Sequence, residues 1–434
     1  MPPADTGIDE PETRRQVKNG FHSHNQDERM RVVTLSALLA VSTAAACVDT
    51  EPEQAPAPVL ITEDNSDDPL AGLTPELQKA FDDGDAFFEA RMFSAQGLGP
   101  MYIRTSCASC HANDGKGPGF VQKMAAFDDD GAPIALPTGN TIHPYVDGGA
   151  TTPILPPDGA VHISTRIGPA VFGRGFIEAI DDAVIEGFEA AQQNRDDGIS
   201  GRIHRVRWQS AANPKPIVHN HQPGDEGLIG RFGLKGRIAT LDEFTADAFQ
   251  GDMGITSPMR PTEIANPEGI VDDFKPGVDV DADRINAIAM YMRLVDAPRR
   301  DFVDVNEADG AAVFAEARCA VCHVPQQHTA ANWAIAPLAD RDVFMFTDLL
   351  LHDMGEGLKD DIVDGDASGR EWKTAPLLGL RFFDGYMHDG RSKTVRDAIA
   401  AHSSDGSEAN DSVVRFNGLS AAQQDLLVRY VESL

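Results

Sequence analysis

Two pentapeptides in this 434-residue chain repeat one pattern, CASCH from Cys107 to His111 and CAVCH from Cys319 to His323. Two thiols separated by two residues, with histidine directly after the second, suit covalent haem attachment. The thiols add to the porphyrin vinyl groups and the histidine is placed under the iron. The same thiols could instead hold zinc, four of them sharing one ion, or cycle between dithiol and disulfide. Both copies carry the histidine and both follow a helical pattern, so two covalent haem c groups are the expectation. Cys107, Cys110, Cys319 and Cys322 are then the attachment residues, and His111 and His323 the iron ligands.

The fifth cysteine, Cys47, closes the apolar run VVTLSALLAVSTAAAC. The fifteen residues from Val32 to Ala46 are short for a membrane span, which takes about 20, and fit the apolar centre of an export signal. Ala44, Ala45 and Ala46 before Cys47 resemble a lipobox, which makes Cys47 the expected lipid anchor and a plain secretory signal the alternative. Residues 1–29 are polar and mixed in charge; they read as a misassigned start, with Met30 as initiator and 30–46 as the leader. Residues 48–72, acidic and proline-bearing, read as a tether. An exported protein, in the periplasm and lipid-anchored to the outer membrane, is the expected product. That compartment permits disulfides, yet no cysteine is left over to form one.

What fills the sixth position on each iron decides between electron transfer and chemistry on a substrate. Met345, His352, Met354, Met387, His388 and His402 are the candidates in the second half. The segment KTVRDAIAAH follows the Gly390 turn and puts Val395, Ile399 and His402 on one helical stripe, so His402 leads and Met387 is the fallback.

The elements that must position these residues show a weak repeat, with a helix before each motif and an amphipathic helix well after it. Thr74 and Pro75 open the first helix, which Gly84 is expected to interrupt. Asn306 caps NEADGAAVFAEAR before the second motif. DADRINAIAMYMRLVDAP places Ile285, Ile288, Met292 and Val295 on one face, with Pro298 as a stop, and LSAAQQDLLVRYVESL does the same with Leu427, Tyr430, Val431 and Leu434 behind Ser420. Residues 115–280 are rich in Gly, Pro and Asp with few periodic runs, which reads as long loops. The expected fold is all-α: a first cytochrome c-like helical domain over 73–300, with long irregular insertions, and a second over 301–434.

From about Leu73 onward the chain also resembles the bacterial di-haem oxidoreductases known as thiol oxidoreductases. These are relatives of the di-haem cytochrome c peroxidases and of the di-haem enzyme that matures methylamine dehydrogenase. The resemblance rests on GLGP before SCASCH, GPAVFGRGFIEAI, DDGISGR, GRFGLKG, FQGDMGITSP, TDLLLHDMGEGL, GREWKTAPLLGL and YMHDGRSKTV. It implies that His402 stands where peroxidase relatives carry a distal methionine, giving bis-histidine ligation and a lower potential. It implies supporting roles for His388 and Asp389, and a haem propionate as partner for Arg391. Asp252 in QGDMG matches the acidic residue that moves a proton between the oxygens of bound peroxide, and Met253 beside it is an alternative sixth ligand that would close the first iron. The sequence departs from the relatives in two places. Phe244 replaces a glutamine, and Phe232, Leu234 and Lys235 fill a stretch where relatives often have an interhaem tryptophan, leaving Trp208, Trp333, Trp372 or Tyr386 as substitutes. Related peroxidases hold calcium between domains, which DDGISGR, with Asp196 and Asp197, resembles only in part.

The net charge of −31 argues against nucleic acid and against an anionic membrane surface, and suits a basic redox partner as well as plain solubility or life in salt. The functional expectation is a di-haem c-type oxidoreductase that exchanges electrons with a small redox protein or other donor or acceptor and reduces peroxide or performs a related oxidation. The alternatives are an electron-transfer cytochrome with both irons six-coordinate and an oxidase of a thiol, a polymer or a partner protein.

Overall fold

The helices with clean apolar periodicity form where their caps place them. The computed structural model describes residues 67–434 apart from 113–116, 118, 158–160, 271–275 and 303–304. The expected misassigned start, the leader, Cys47 and the tether as far as residue 66 therefore lie outside the described residues. Thr74 caps the Pro75–Glu89 helix, its Oγ1 accepting the Leu77 amide at 3.3 Å. Asp281 caps Ala282–Leu294, Asn306 caps Glu307–Glu316, and Ser420 forms a capping box with Gln423 at the head of Ala421–Glu432. Order begins before Thr74: the Leu70 amide donates to the Leu294 carbonyl at 2.8 Å, and Leu70 is buried.

Gly84 does not interrupt its helix. It lies where the Pro75–Glu89 and Ala282–Leu294 helices cross, and a Cβ there would collide with the Ala287 carbonyl and sit 2.7 Å from Tyr291 Cβ. The same contact recurs in the second half, where a Cβ on Gly310 would lie 2.5 Å from Tyr430 Cδ2. Four residues after each glycine, Phe88 meets Tyr291 at 5.1 Å and Phe314 meets Tyr430 at 5.7 Å between ring centroids. Each half therefore crosses its first and last helices on one Gly, Phe and Tyr set, and the CxxCH motif follows the first helix of the pair.

The expected all-α class is wrong. The protein is 32% helical and 15% strand, with five small sheets, and is mixed α/β. Phe120–Phe127 pairs antiparallel with both His162–Ile167 and Pro133–Ile134. Two-stranded ladders join Met101–Tyr102 to Tyr145–Val146, Arg205–Val206 to Leu228–Ile229, Gln327–His328 to Asp342–Val343, and Leu351–Asp353 to Glu371–Lys373. The loop-rich composition hid them. Apart from Phe120–Phe127 and His162–Ile167, the strands are two or three residues long and have no room for a period of two, and the unpaired amides of a long connection must find partners somewhere.

The described residues belong to one compact unit. A large apolar cluster gathers Phe88, Ile177, Ile285 and Leu294 with Leu338, Met345 and Leu350 from beyond residue 300, and a second gathers Val313, Phe314, Phe346, Leu427 and Tyr430. No helix of the described residues is long and apolar enough to cross a membrane.

Candidate haem sites

Both CxxCH segments fold into one tight turn. The His111 amide donates to the Cys107 carbonyl at 2.9 Å and the His323 amide to the Cys319 carbonyl at 3.0 Å. A tight turn of this kind suits thioether attachment with an adjacent histidine as iron ligand. All four thiols are free, and burial first of all raises Cys107 and Cys319 to about 12 and Cys110 to about 11. The thiols do not converge on one point: the dense group of metal-ligating side chains among the described residues is Cys322, Asp348 and His352. The shared four-thiolate zinc site is therefore not formed.

One cavity of about 430 Å³ reaches from His111 to Cys319, Cys322 and His323, lined mostly by apolar side chains. At its second end, His402 stands opposite His323. The ring centroids are 6.4 Å apart with planes at 63°. Two imidazoles on opposite sides of one metal, each at a bond length of about 2.0–2.1 Å, put their centroids about 6 Å apart, so this spacing fits an iron between them. Each Nδ1–H is spoken for, His323 donating to the Phe346 carbonyl at 3.1 Å and His402 to the Ala398 carbonyl at 2.7 Å. With each Nδ1 so engaged, the Nε2 of both rings is left as the unprotonated nitrogen, the second-sphere arrangement that fixes the tautomer of a ligating histidine. Burial pushes His323 down to about 4 and lowers His402, so both rings are neutral, as ligands must be. His402 is the residue just past the end of the Val395–Ala401 helix, and Val395, Ile399 and His402 all line the cavity.

His111 has different company. Its ring neighbour is Phe88, with centroids at 6.0 Å, and no second imidazole among the described residues lies against it. Burial brings it down to about 4, against a smaller opposing pull from the Pro169 carbonyl, and its buried Nδ1 has no well-formed hydrogen bond. A Cβ on Gly168 would come within 3.2 Å of its Cε1, so glycine leaves the room this ring needs.

Asp252 sits in the last turn of the Leu241–Met253 helix, where its carbonyl accepts the Ile103 amide at 2.7 Å, close to the first CxxCH loop. Its carboxylate acts on Cys107 and Cys110. Burial raises it to about 6, with Lys123 pulling the other way and Asp247 adding to the rise. It does not line the cavity that holds His111. It lines a neighbouring polar cavity of about 750 Å³, together with Lys123, Arg237, Asp247 and Asp364, and Phe244 borders both spaces. Met253 packs into the large apolar cluster and lines neither cavity.

The remaining sequence candidates sort by position. Met387, at φ 69°, and His388 line the apolar cavity, and His388 stacks on Trp372 at 4.1 Å with planes 13° apart. Asp389 pairs with Arg391 at 2.7 Å, while Arg391 also donates to the Gly357 carbonyl and does not line the cavity. Phe232, Leu234, Trp372 and Tyr386 are in the cavity wall, and Lys235 caps Trp372 from 3.9 Å. Trp208 and Trp333 pack against His221 and His219 instead. Met345 is buried in the large cluster and Met354 lines the cavity. In DDGISGR, Asp197 is held by Arg195 and Arg318, and Ser200 bonds Glu408, so this turn docks beside the second CxxCH motif.

His352, a candidate ligand in the sequence, stands in a polar group whose other members, Asp348 and Glu408, sequence reasoning did not single out. Its Nε2 meets Asp348 at 2.9 Å, its Nδ1 meets Glu408 at 2.8 Å, and Cys322 Sγ is 3.7 Å away. Burial opposes charge on this ring, yet Cys322 and Asp348 outweigh it and hold the pKa well above its usual value. The signal was present in TDLLLHD, where an acid four residues before a histidine places both on one side of the short segment.

These donors fit haem at both motifs: paired thiols and a neutral histidine at each, an apolar cavity joining them, and a second neutral histidine at one. Residues 150–434 match a family model described as "Di-haem oxidoreductase, putative peroxidase". No curated protein matches the chain. Among solved structures, a chain of Kuenenia stuttgartiensis hydrazine synthase is similar at 16% identity and TM-score 0.35, over 92% of this chain and 100% of that one. A superposition so loose carries no argument about the fold.

Proposed function

The chain belongs to the di-haem oxidoreductase family, and on that footing we propose that it is an exported c-type enzyme that reduces peroxide or performs a related oxidation. The observation that carries this reading is the asymmetry of the two sites. His323 has His402 opposite it at 6.4 Å between centroids, whereas His111 has no facing imidazole among the described residues and an acid of raised pKa near its attachment loop. Cys107, Cys110 and His111 would hold one haem, and Cys319, Cys322, His323 and His402 the other. Bound haem supplies one-electron chemistry where both axial positions are filled and peroxide binding where one is open.

In this reading Asp252 serves as the proton holder. A carboxyl with a pKa of about 6 keeps its proton in mildly acid medium and still releases it, which suits general acid and base work near neutrality. Lys123 and Arg237 stand beside it and limit the rise that burial causes. The polar cavity gives water and a small polar substrate a route to the carboxyl, while the apolar wall formed by Phe232, Leu234 and Trp372 keeps water from the passage between the sites. Trp372 and Tyr386 are the aromatic side chains placed to assist electron passage along that wall. Calcium has no part in this reading, because Asp197 is committed to two guanidinium groups. Export and a lipid on Cys47 are proposed on the leader-like sequence, and a basic redox protein as partner on the net charge of −31.

EPR and resonance Raman of the ferric protein test the reading. One high-spin and one low-spin haem are expected, with His402→Ala turning the low-spin signal high-spin. Two low-spin haems in the unaltered protein would move the assignment to an electron-transfer cytochrome.

A further inference from the structure

The buried and half-buried cations of this protein differ in what they are set against. Most have a partner within the chain. Arg293 is held by Glu178 at 2.6 Å and by Asp242; Arg166 by Asp360 and Asp364, each at 2.7 Å; Arg231 by Asp182. Lys235 donates to the carbonyls of Ser368 and Glu371 at 2.8 and 2.7 Å. Arg174 and Lys373 differ. Both line the cavity that runs from His111 to His323, and neither makes an ion pair with any described residue.

Their placement is built in. Lys373 ends the Glu371–Lys373 strand, with its amide donating to the Leu234 carbonyl at 3.0 Å and the residue as a whole only 9% exposed. Arg174 opens the Arg174–Ala179 helix, and its Nε donates to the Ala170 carbonyl at 2.6 Å, which leaves the other guanidinium nitrogens for the cavity. The two repel each other: burial first, then Arg174, brings Lys373 down to about 7, and burial brings Arg174 down to about 10. The field of Arg174 reaches His111, and Lys373 feels Asp348, the carboxylate bonded to His352 beside Cys322. The pair therefore lies along the passage between the two attachment sites. Two mutually repelling cations in one apolar cavity wall, neither ion-paired, are costly in any fold that has nothing to set against them.

We propose that Arg174 and Lys373 are anchors for haem propionates, Arg174 on the side of the His111 haem and Lys373 on the side of the His323 haem. The inference rests on the di-haem reading above. The ligand chemistry is that of a carboxylate pair on the edge of an otherwise apolar plate, which an apolar cavity with two unmatched cations in its wall complements in shape and charge. Arg391, which the family resemblance implies for this role, is engaged with Asp389 and the Gly357 carbonyl, whereas these two cations face the cavity. Besides positioning, they set electrostatics: a cation against a propionate stabilises the reduced haem and holds its midpoint potential up.

The test is a spectroelectrochemical titration of the full holoprotein and of four variants, R174Q, R174K, K373Q and K373R, with covalent haem counted as the pyridine haemochrome. R174Q and K373Q are expected to lower the midpoint of at least one haem, while R174K and K373R keep both midpoints and the full haem count. Haem loss in the glutamine variants with retention in the charge-keeping ones supports the anchor equally. Two haems with unmoved midpoints in R174Q and K373Q overturn the anchor alone, as does equal haem loss in all four variants. Fewer than two covalent haems in the unaltered protein overturns the di-haem c reading and the anchor with it.

Discussion

Replacing Asp252 with asparagine separates what this residue costs the fold from what it gives the site. Burial raises its carboxyl from the ordinary 3.8 to about 6, so the folded protein prefers the neutral form more strongly than the unfolded chain does. At a pH below 3.8 the group is neutral in both states and contributes nothing to the difference from asparagine. As the pH rises through the window from 3.8 to about 6, the unfolded chain ionises first and the folded state is left at a disadvantage. Converted at about 1.4 kcal/mol per tenfold, the full difference above that window is about 3 kcal/mol. Asp252 keeps some contact with the polar cavity, and screening there brings the expectation to about 1–3 kcal/mol. The D252N holoprotein should therefore be more stable than the unaltered one at pH 7 and equal to it near pH 3, below the window, while its peroxide turnover falls. Guanidinium unfolding followed by far-UV circular dichroism at several pH values reads the first part, and steady-state assays the second. A D252N protein less stable at pH 7, or one whose gain is the same at every pH, would refute the reasoning.

Three further substitutions bear on the architecture. G310A should lose about 1–2 kcal/mol despite the helix preference for alanine, because its Cβ would press on Tyr430, whereas G187A, with open space around that position in the Asp182–Gln192 helix, should gain about 1 kcal/mol; thermal melts of both decide it. Arg293→Met leaves Glu178 and Asp242 buried without their cation and should cost about 3–5 kcal/mol by chemical denaturation, with a smaller loss meaning that water reaches the two acids. His402→Met should keep its haem low-spin and raise that haem's midpoint, read by EPR and potentiometry; a high-spin signal would mean that this position does not reach the iron.

How much of this was open to reading in the sequence depended on the length over which a pattern could run. Helices of twelve to fifteen residues such as Ala421–Glu432 and Pro75–Glu89 carry several turns of apolar repeat and a cap, and both signals agree. Gly84 misled because glycine is usually read for its backbone freedom, while here it serves for its missing side chain at a helix crossing. The sequence does hold the clue, since GDAFFEAR and GAAVFAEAR align Gly84 with Gly310 and Phe88 with Phe314. The all-α expectation failed for the opposite reason. Ladders such as Arg205–Val206 with Leu228–Ile229 are two residues long and exist to satisfy backbone groups of long connections, which side-chain patterns do not record.

The site was legible wherever a local motif carried it. CASCH, CAVCH and the phase of His402 are contiguous signals, and the structure sets His402 facing His323. Arg174 and Lys373 are nearly two hundred residues apart, one at a helix start and the other at a strand end, and nothing in either neighbourhood marks it as different from the paired arginines. What distinguishes them is visible only against the composition of the whole. The chain has 68 acidic residues to 37 Lys and Arg, so a buried cation here does not go unpaired for want of carboxylates. Arg293 and Arg166 each draw two carboxylates, from segments 50 to nearly 200 residues away. A fold that supplies acids so freely to Arg293, Arg166 and Arg231, and no ion pair to the two cations in the wall of the cavity between the CxxCH motifs, leaves their counter-charge to the proposed cofactor.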